Sequence, residues 1–155
     1  MVKTVLFSII VLFAFISCQN ESNPVSTIHD HSFVAKVGAE NWQGKSYVDF
    51  ARSEKQSLFL IPDNKEDYLV LSFEFNGVGE YLLEDSSVSL VETIGGDVLK
   101  ATYHSVYKQN DILVVSFFDE NSGIIKGSFS SHIKKESETI LVSSEQFEAN
   151  FININ

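Results

Sequence analysis

The chain predicts an all-β fold, an antiparallel β-sandwich or barrel of roughly nine to ten strands. Three observations carry this. From Ser32 onward apolar residues recur with a period of two almost everywhere, as a half-buried strand requires. Clusters of Gly, Asp, Asn and Pro interrupt that alternation at short intervals, as turns do. No long stretch carries the 3.6-residue stripe of an amphipathic helix.

The elements follow in order. Phe33, Ala35 and Val37 alternate with Val34 and Lys36, and Gly38-Ala39-Glu40 reads as a turn. Trp42, Gly44, Ser46, Val48 and Phe50 then share one face. A short strand over 57–61 stops at Pro62-Asp63-Asn64, and Leu69, Leu71, Phe73 and Phe75 face one way with Ser72 and Glu74 opposite. Asn76-Gly77-Val78-Gly79 supplies a sharp reversal, because glycine tolerates positive φ. Strands are expected over 80–83, 88–93, 98–107, 112–118 and 124–133. They are separated by Gly95-Gly96-Asp97, Gln109-Asn110-Asp111 and a hairpin loop, Asp119-Glu120-Asn121-Ser122-Gly123. Residues 134–138 read as a charged loop, and two strand-like runs, 139–143 and 147–154, follow it. Either 53–56 or 144–146 has room for one helical turn. Strands of this kind pair with their sequence neighbours, so a meander of hairpins is the default. Several of the 13 phenylalanines alternate with polar residues and would fill the space between facing sheets. Each full burial contributes about 1.5–3 kcal/mol.

The first residues have a different character. Lys3 precedes an apolar run of about a dozen residues, Val5 to Ile16, which closes on Ser17 and the only cysteine, Cys18. A membrane-spanning helix needs roughly 20 apolar residues, whereas a secretory signal needs roughly 7–15 after a basic start. The run therefore reads as a signal peptide. Phe15-Ile16-Ser17-Cys18 resembles a bacterial lipobox, an aliphatic-rich triplet ending in a small residue before cysteine. That resemblance implies cleavage before Cys18, a diacylglycerol on its thiol, and acylation of the new amino group by palmitate-type chains. Each buried CH₂ of such chains contributes about 0.8 kcal/mol, so two or more make a stable anchor. The expected organisation is a signal peptide over 1–17, the acylated Cys18 with a polar tether over 18–31, and a single β domain over 32–155.

The net charge is -10, and removing the signal peptide discards only one lysine. An acidic domain excludes nucleic acid as a partner, because phosphate binding needs clustered Lys and Arg. The membrane is then held through the lipid anchor rather than by electrostatic docking. With Cys18 acylated no thiol remains, which excludes disulfides and cysteine nucleophiles.

One set of landmarks spans nearly the whole mature chain. After the lipobox and tether come Phe33-x-Ala35-x-Val37-Gly38-x-x-x-Trp42, then Gly79-Glu80-Tyr81, Lys126-Gly127-Ser128-Phe129, and Phe147-x-Ala149-x-Phe151. In this order they resemble a family of small Bacteroidetes-type lipoproteins with an uncharacterised β domain. The shared residues are turns and core aromatics, so the resemblance implies a scaffold. It implies no activity, ligand or catalytic residue.

Candidate chemistry is sparse. His29, Asp30 and His31 have the donor types of a zinc or copper site, but on an extended tether they hold a metal only loosely. His104 and His132 sit on expected strands, where a serine and a carboxylate would be needed to make a hydrolytic relay. The chain has no Gly-x-Ser-x-Gly elbow and no phosphate-cradling glycine loop. Glu80, Glu84 and Asp85, and likewise Asp119 and Glu120, lack the spacing of a calcium loop. Trp42, Tyr47, Tyr103 and Tyr107 offer an aromatic platform for a sugar or peptide, although Trp42 alternates in phase with the core.

The sequence thus leads to a non-catalytic binding or interaction module, lipid-anchored in the cell envelope at the outer membrane. It needs no cofactor and takes an unknown protein or glycan partner. Loop tips are the expected contact regions, with Glu84, Asp85, Asp119 and Glu120 as candidate residues, and Tyr103 and Tyr107 on one strand face are further candidates. The alternatives are a β-barrel carrying a small apolar ligand inside it and a hydrolase. A cavity of several hundred Å³ would discriminate the first, and a serine and a carboxylate at His104 or His132 the second.

Overall fold

A computed structural model of the chain describes residues 32–49 and 55–152. The signal segment, Cys18, the tether with His29, Asp30 and His31, Phe50 and residues 53–54 lie outside the described residues. The described part is all-β. Its ten strands are β1 (Phe33–Val37), β2 (Glu40–Asp49), β3 (Gln56–Pro62), β4 (Tyr68–Phe73), β5 (Gly79–Leu82), β6 (Val88–Ile94), β7 (Val98–His104), β8 (Ile112–Asp119), β9 (Ile124–Lys135) and β10 (Glu138–Ile152). They form one sheet in the order β5-β8-β9-β10-β1-β2-β3-β4-β6-β7, antiparallel except where the end of β10 runs parallel to β2. The sheet is curled like a sandwich and is not closed into a barrel.

Alternation positions the core as the sequence pattern demands. Phe33, Ala35, Val37, Trp42, Val48, Leu69, Leu71 and Phe73 are all buried, and Phe75 packs against them from just past the end of β4. Leu58, Leu60, Leu113, Ile125, Phe129, Ile133 and Phe147 complete the filling. Trp42 is thus a core plug. Lys65 lies over its ring at 5.3 Å, and Glu40 accepts hydrogen bonds from both Lys65 and Trp42 Nε1. Two glycines are dictated by close approach. A Cβ on Gly127 would come within 2.0 Å of the Val114 carbonyl oxygen, and one on Gly44 within 2.1 Å of that of Ile61.

The simple meander fails at three junctions: β4–β5, β5–β6 and β7–β8 are not paired. The free side of β4 takes β6 instead, which sets Leu69 beside Leu90 and Leu71 beside Val88. Four residues with a single partly covered side chain, Tyr81, cannot match that burial, and β5 crosses to pair with β8. Two local expectations also change. The charged loop over 134–138 shrinks to a turn at Glu136 and Ser137, with Glu136 at φ 56, because Lys135 and Glu138 pair in the ladder. The tail is a single strand whose register shifts between Ser144 and Phe147; the 144–146 stretch is this bulge, not a helical turn.

Candidate functional site

The curl brings the β7 edge of the sheet back onto β9, the third strand from the opposite edge. Ser105, just past β7, forms an isolated bridge with Ile133 of β9, and Val106 N–H donates to the His132 carbonyl at 2.9 Å. Glu92 of β6 accepts from Lys135 of β9 at 2.5 Å and pairs with Lys100 of β7 at 3.1 Å. Lys135 also lies 5.3 Å from the centroid of the Tyr103 ring. The Lys135 hydrogen bond, reinforced by Lys100 and opposed by burial, holds the Glu92 carboxyl below its ordinary value. The same contact pushes the Lys135 ammonium up.

Asp111 is the anchor of this seam, and its carboxylate is fully buried. Its Oδ2 accepts from His132 N–H at 2.9 Å and from Ser131 Oγ at 3.3 Å, while Oδ1 lies 2.6 Å from His132 Nδ1. Its carbonyl accepts from Leu83 N–H, and its own N–H donates to the Lys108 carbonyl. One residue therefore ties the end of β5, the β7–β8 connection and β9 together. The sequence does not single it out, because Gln109-Asn110-Asp111 has the composition of a solvated turn.

The arrangement bears directly on the hydrolytic relay. His132 has a carboxylate on Nδ1, but the neighbouring serine hydroxyl is spent on that carboxylate and not on the ring. A relay needs the hydroxyl on the far ring nitrogen. His104 has the complementary deficit. Its Nδ1 lies 3.0 Å from Ser89 Oγ on the exposed face of the paired β6 and β7, with no carboxylate among its described partners. Among the described residues no three His, Cys, Asp or Glu side chains gather as a metal site would need.

The candidate contact residues separate into groups. Glu84, Asp85 and Tyr107 converge with Leu82 around an open depression of about 430 Å³. The loop that carries the two acids is fixed from several sides. Asp85 Oδ1 accepts the Tyr107 N–H at 2.6 Å, and the Glu84 carbonyl accepts from Ser105 Oγ and from Ser87 N–H. Ser86, which follows Asp85, takes φ 65, a left-handed conformation uncommon outside glycine. Leu82 was the missing member. Its signal is the run Val78-x-Glu80-x-Leu82, which puts two large apolar residues on the outer face of a polar-bounded strand.

Asp119 and Glu120 lie at the other end of β8, seven residues beyond Ile112, the partner of Leu82. At about 3.3 Å per residue that is roughly 23 Å away. Asp119 spends both oxygens on its own loop, on Ser122 Oγ at 2.6 Å and Asn121 N–H at 3.0 Å. Those two bonds, the serine's first, hold its carboxyl below the usual range. Tyr103 faces Lys135 across the seam, away from the roles expected of a platform with Trp42 and Tyr47. Tyr47 instead stacks on Phe59 at 4.8 Å and 11°, and Phe59 meets Tyr68 at 6.4 Å. In that row Tyr47 and Phe59 turn a face on each other, which is cross-strand packing. Burial, aided by the Asp49 charge, pushes the Tyr47 hydroxyl up.

What these contacts leave for chemistry is an open, acid-rimmed, partly apolar recess on a hydrogen-bonded loop, with no assembled relay among the described residues. No protein-family model, curated protein or solved structure matches this chain.

Proposed function

We propose that the chain is a lipid-anchored lipoprotein of the cell envelope, of the small Bacteroidetes-type kind, whose β domain is a non-catalytic interaction module. The observation that carries the anchor is the apolar run ending in Phe15-Ile16-Ser17-Cys18, followed by a polar tether. Triacylated Cys18 would hold the domain at the outer membrane, since two or more acyl chains make stable anchoring. The interaction role is supported by the recess at Leu82, Glu84, Asp85 and Tyr107, where exposed side chains sit on a loop fixed by hydrogen bonds. The filled concave face of the sheet weighs against an internal ligand. The placement of the Ser131 hydroxyl on Asp111 weighs against a hydrolase.

Lipidation is tested by expressing the full chain in a bacterial host with a labelled fatty acid. Label and detergent-phase partitioning are expected in the parent and absent in Cys18→Ala. If both chains behave alike in mass and partitioning, the anchor assignment is wrong.

A further inference from the structure

The sheet has two edges, and they are treated differently. The β7 edge is folded onto β9 by the Ser105–Ile133 bridge and by Glu92 with its two lysines. Among the described residues the β5 edge pairs with β8 on one side only and ends the strand order. The sheet face at its start is open, since a Cβ built on Gly79 would meet nothing within 4 Å. Its outer face presents Val78 at 63% and Leu82 at 67% exposure on either side of Glu80. An edge strand offers a row of unpaired backbone donors and acceptors, which is a template for another strand.

We infer that β5 is a strand-addition site for an extended segment of a partner protein in which cationic and apolar side chains alternate. This deepens the interaction-module reading and rests on it. Backbone pairing along Gly79–Leu82 would supply affinity, and recesses for alternate side chains supply specificity in this mode of recognition. The depression at the Leu82 end is such a recess. It receives the aliphatic stem of one cationic side chain against Leu82 and Tyr107, with the charged end running toward Glu84 and Asp85, while the alternate apolar side chains turn to the Tyr81 face. Glu80 faces the middle of the incoming strand on the same side.

Charge decides the occupant. Three carboxylates, Glu80, Glu84 and Asp85, border the edge of a chain whose net charge is -10. A second copy would bring the same carboxylates and the same net charge to the contact, and like charges set against each other select against that pairing. A basic, extended segment meets complementary charge, and nucleic acid is rejected on the same ground.

The test uses the full chain and two short synthetic peptides, one alternating lysine with valine and one alternating glutamate with valine. Binding is followed by anisotropy and by residue-resolved amide exchange. The lysine–valine peptide is expected to bind, to slow exchange of β5 amides, and to weaken by about tenfold in Leu82→Lys and in Glu84→Lys. Glu136→Lys carries the same charge change on a remote turn and is expected to leave binding nearly intact. Equal weakening by Glu84→Lys and Glu136→Lys would overturn the site in favour of bulk electrostatics. Binding without slower β5 exchange would overturn strand addition. Sedimentation of the parent as a dimer that Leu82→Lys dissolves would overturn the choice of occupant. No binding of the lysine–valine peptide would overturn the inference while leaving the anchor, read from the label on Cys18, untouched.

Discussion

The β7 edge and the β5 edge face opposite fates in one sheet. At β7 the chain is drawn onto β9 by a backbone bridge, a buried carboxylate beneath it and a carboxylate shared by two lysines. At β5 the strand is four residues long, carries Leu82 on its outer face, and ends at an open recess. The contrast teaches where this fold places its stability and where it leaves surface for contact. Both are joined at Asp111, whose side chain holds the seam and whose carbonyl holds Leu83 at the end of β5.

The largest expected effect falls on the seam. Asp111→Ala removes the acceptor for two backbone or side-chain donors on β9 and for the His132 ring. Leaving such buried partners unpaired costs about 3 kcal/mol. A lower urea midpoint is the readout. A shift as small as that of an ordinary surface change would mean that the seam holds by packing alone.

Glu92→Gln comes next, at about 1 kcal/mol, because both lysine partners are partly exposed and screened. Its pH dependence sharpens the point. The folded carboxyl is held below its unfolded value by Lys135, so its contribution is present above the ordinary carboxylate range. It fades as the pH falls through the depressed folded value. The stability difference between parent and Glu92→Gln is therefore expected at neutral pH and to narrow in acid. A difference that stays constant through the acid range would remove the ion pair from the account of the seam.

Leu82→Lys is the smallest effect. An exposed side chain on an edge strand is expected to change stability by no more than about 0.5 kcal/mol. A large loss in thermal denaturation would show that β5 is part of the load on the core and not a free surface.

How much of this was legible in the sequence differs from element to element. Period-two alternation placed a run on each of the ten strands, although it split β10 in two, and it picked out the inward set Leu69, Leu71 and Phe73, because burial of one strand face writes itself directly into the order of residues. Strand order is not local, and nothing in residues 79–82 says that they leave β4 for β8. Chemistry was harder still. Glu84 and Asp85 were visible as loop residues and Tyr107 as the end of an expected strand that in fact stops at His104, and the three do converge. Asp119 was equally visible, yet it closes its own hairpin. Asp111 was hidden, since a buried carboxylate and a solvated one have the same letter and the difference lies in Ser131 and His132, some 20 residues later.

Residue-resolved amide exchange on the free protein tests the difference between the edges most directly. The seam amides Val88, Ser105, Val106 and His132 each have a described acceptor in the tied region. They are expected to exchange only through global unfolding, with protection matching the equilibrium stability. Amides within β5, from Glu80 to Leu82, are expected to exchange far faster, through local opening of a strand paired on one side. Equal protection at β5 and at the seam would contradict the assignment of β5 as the open edge.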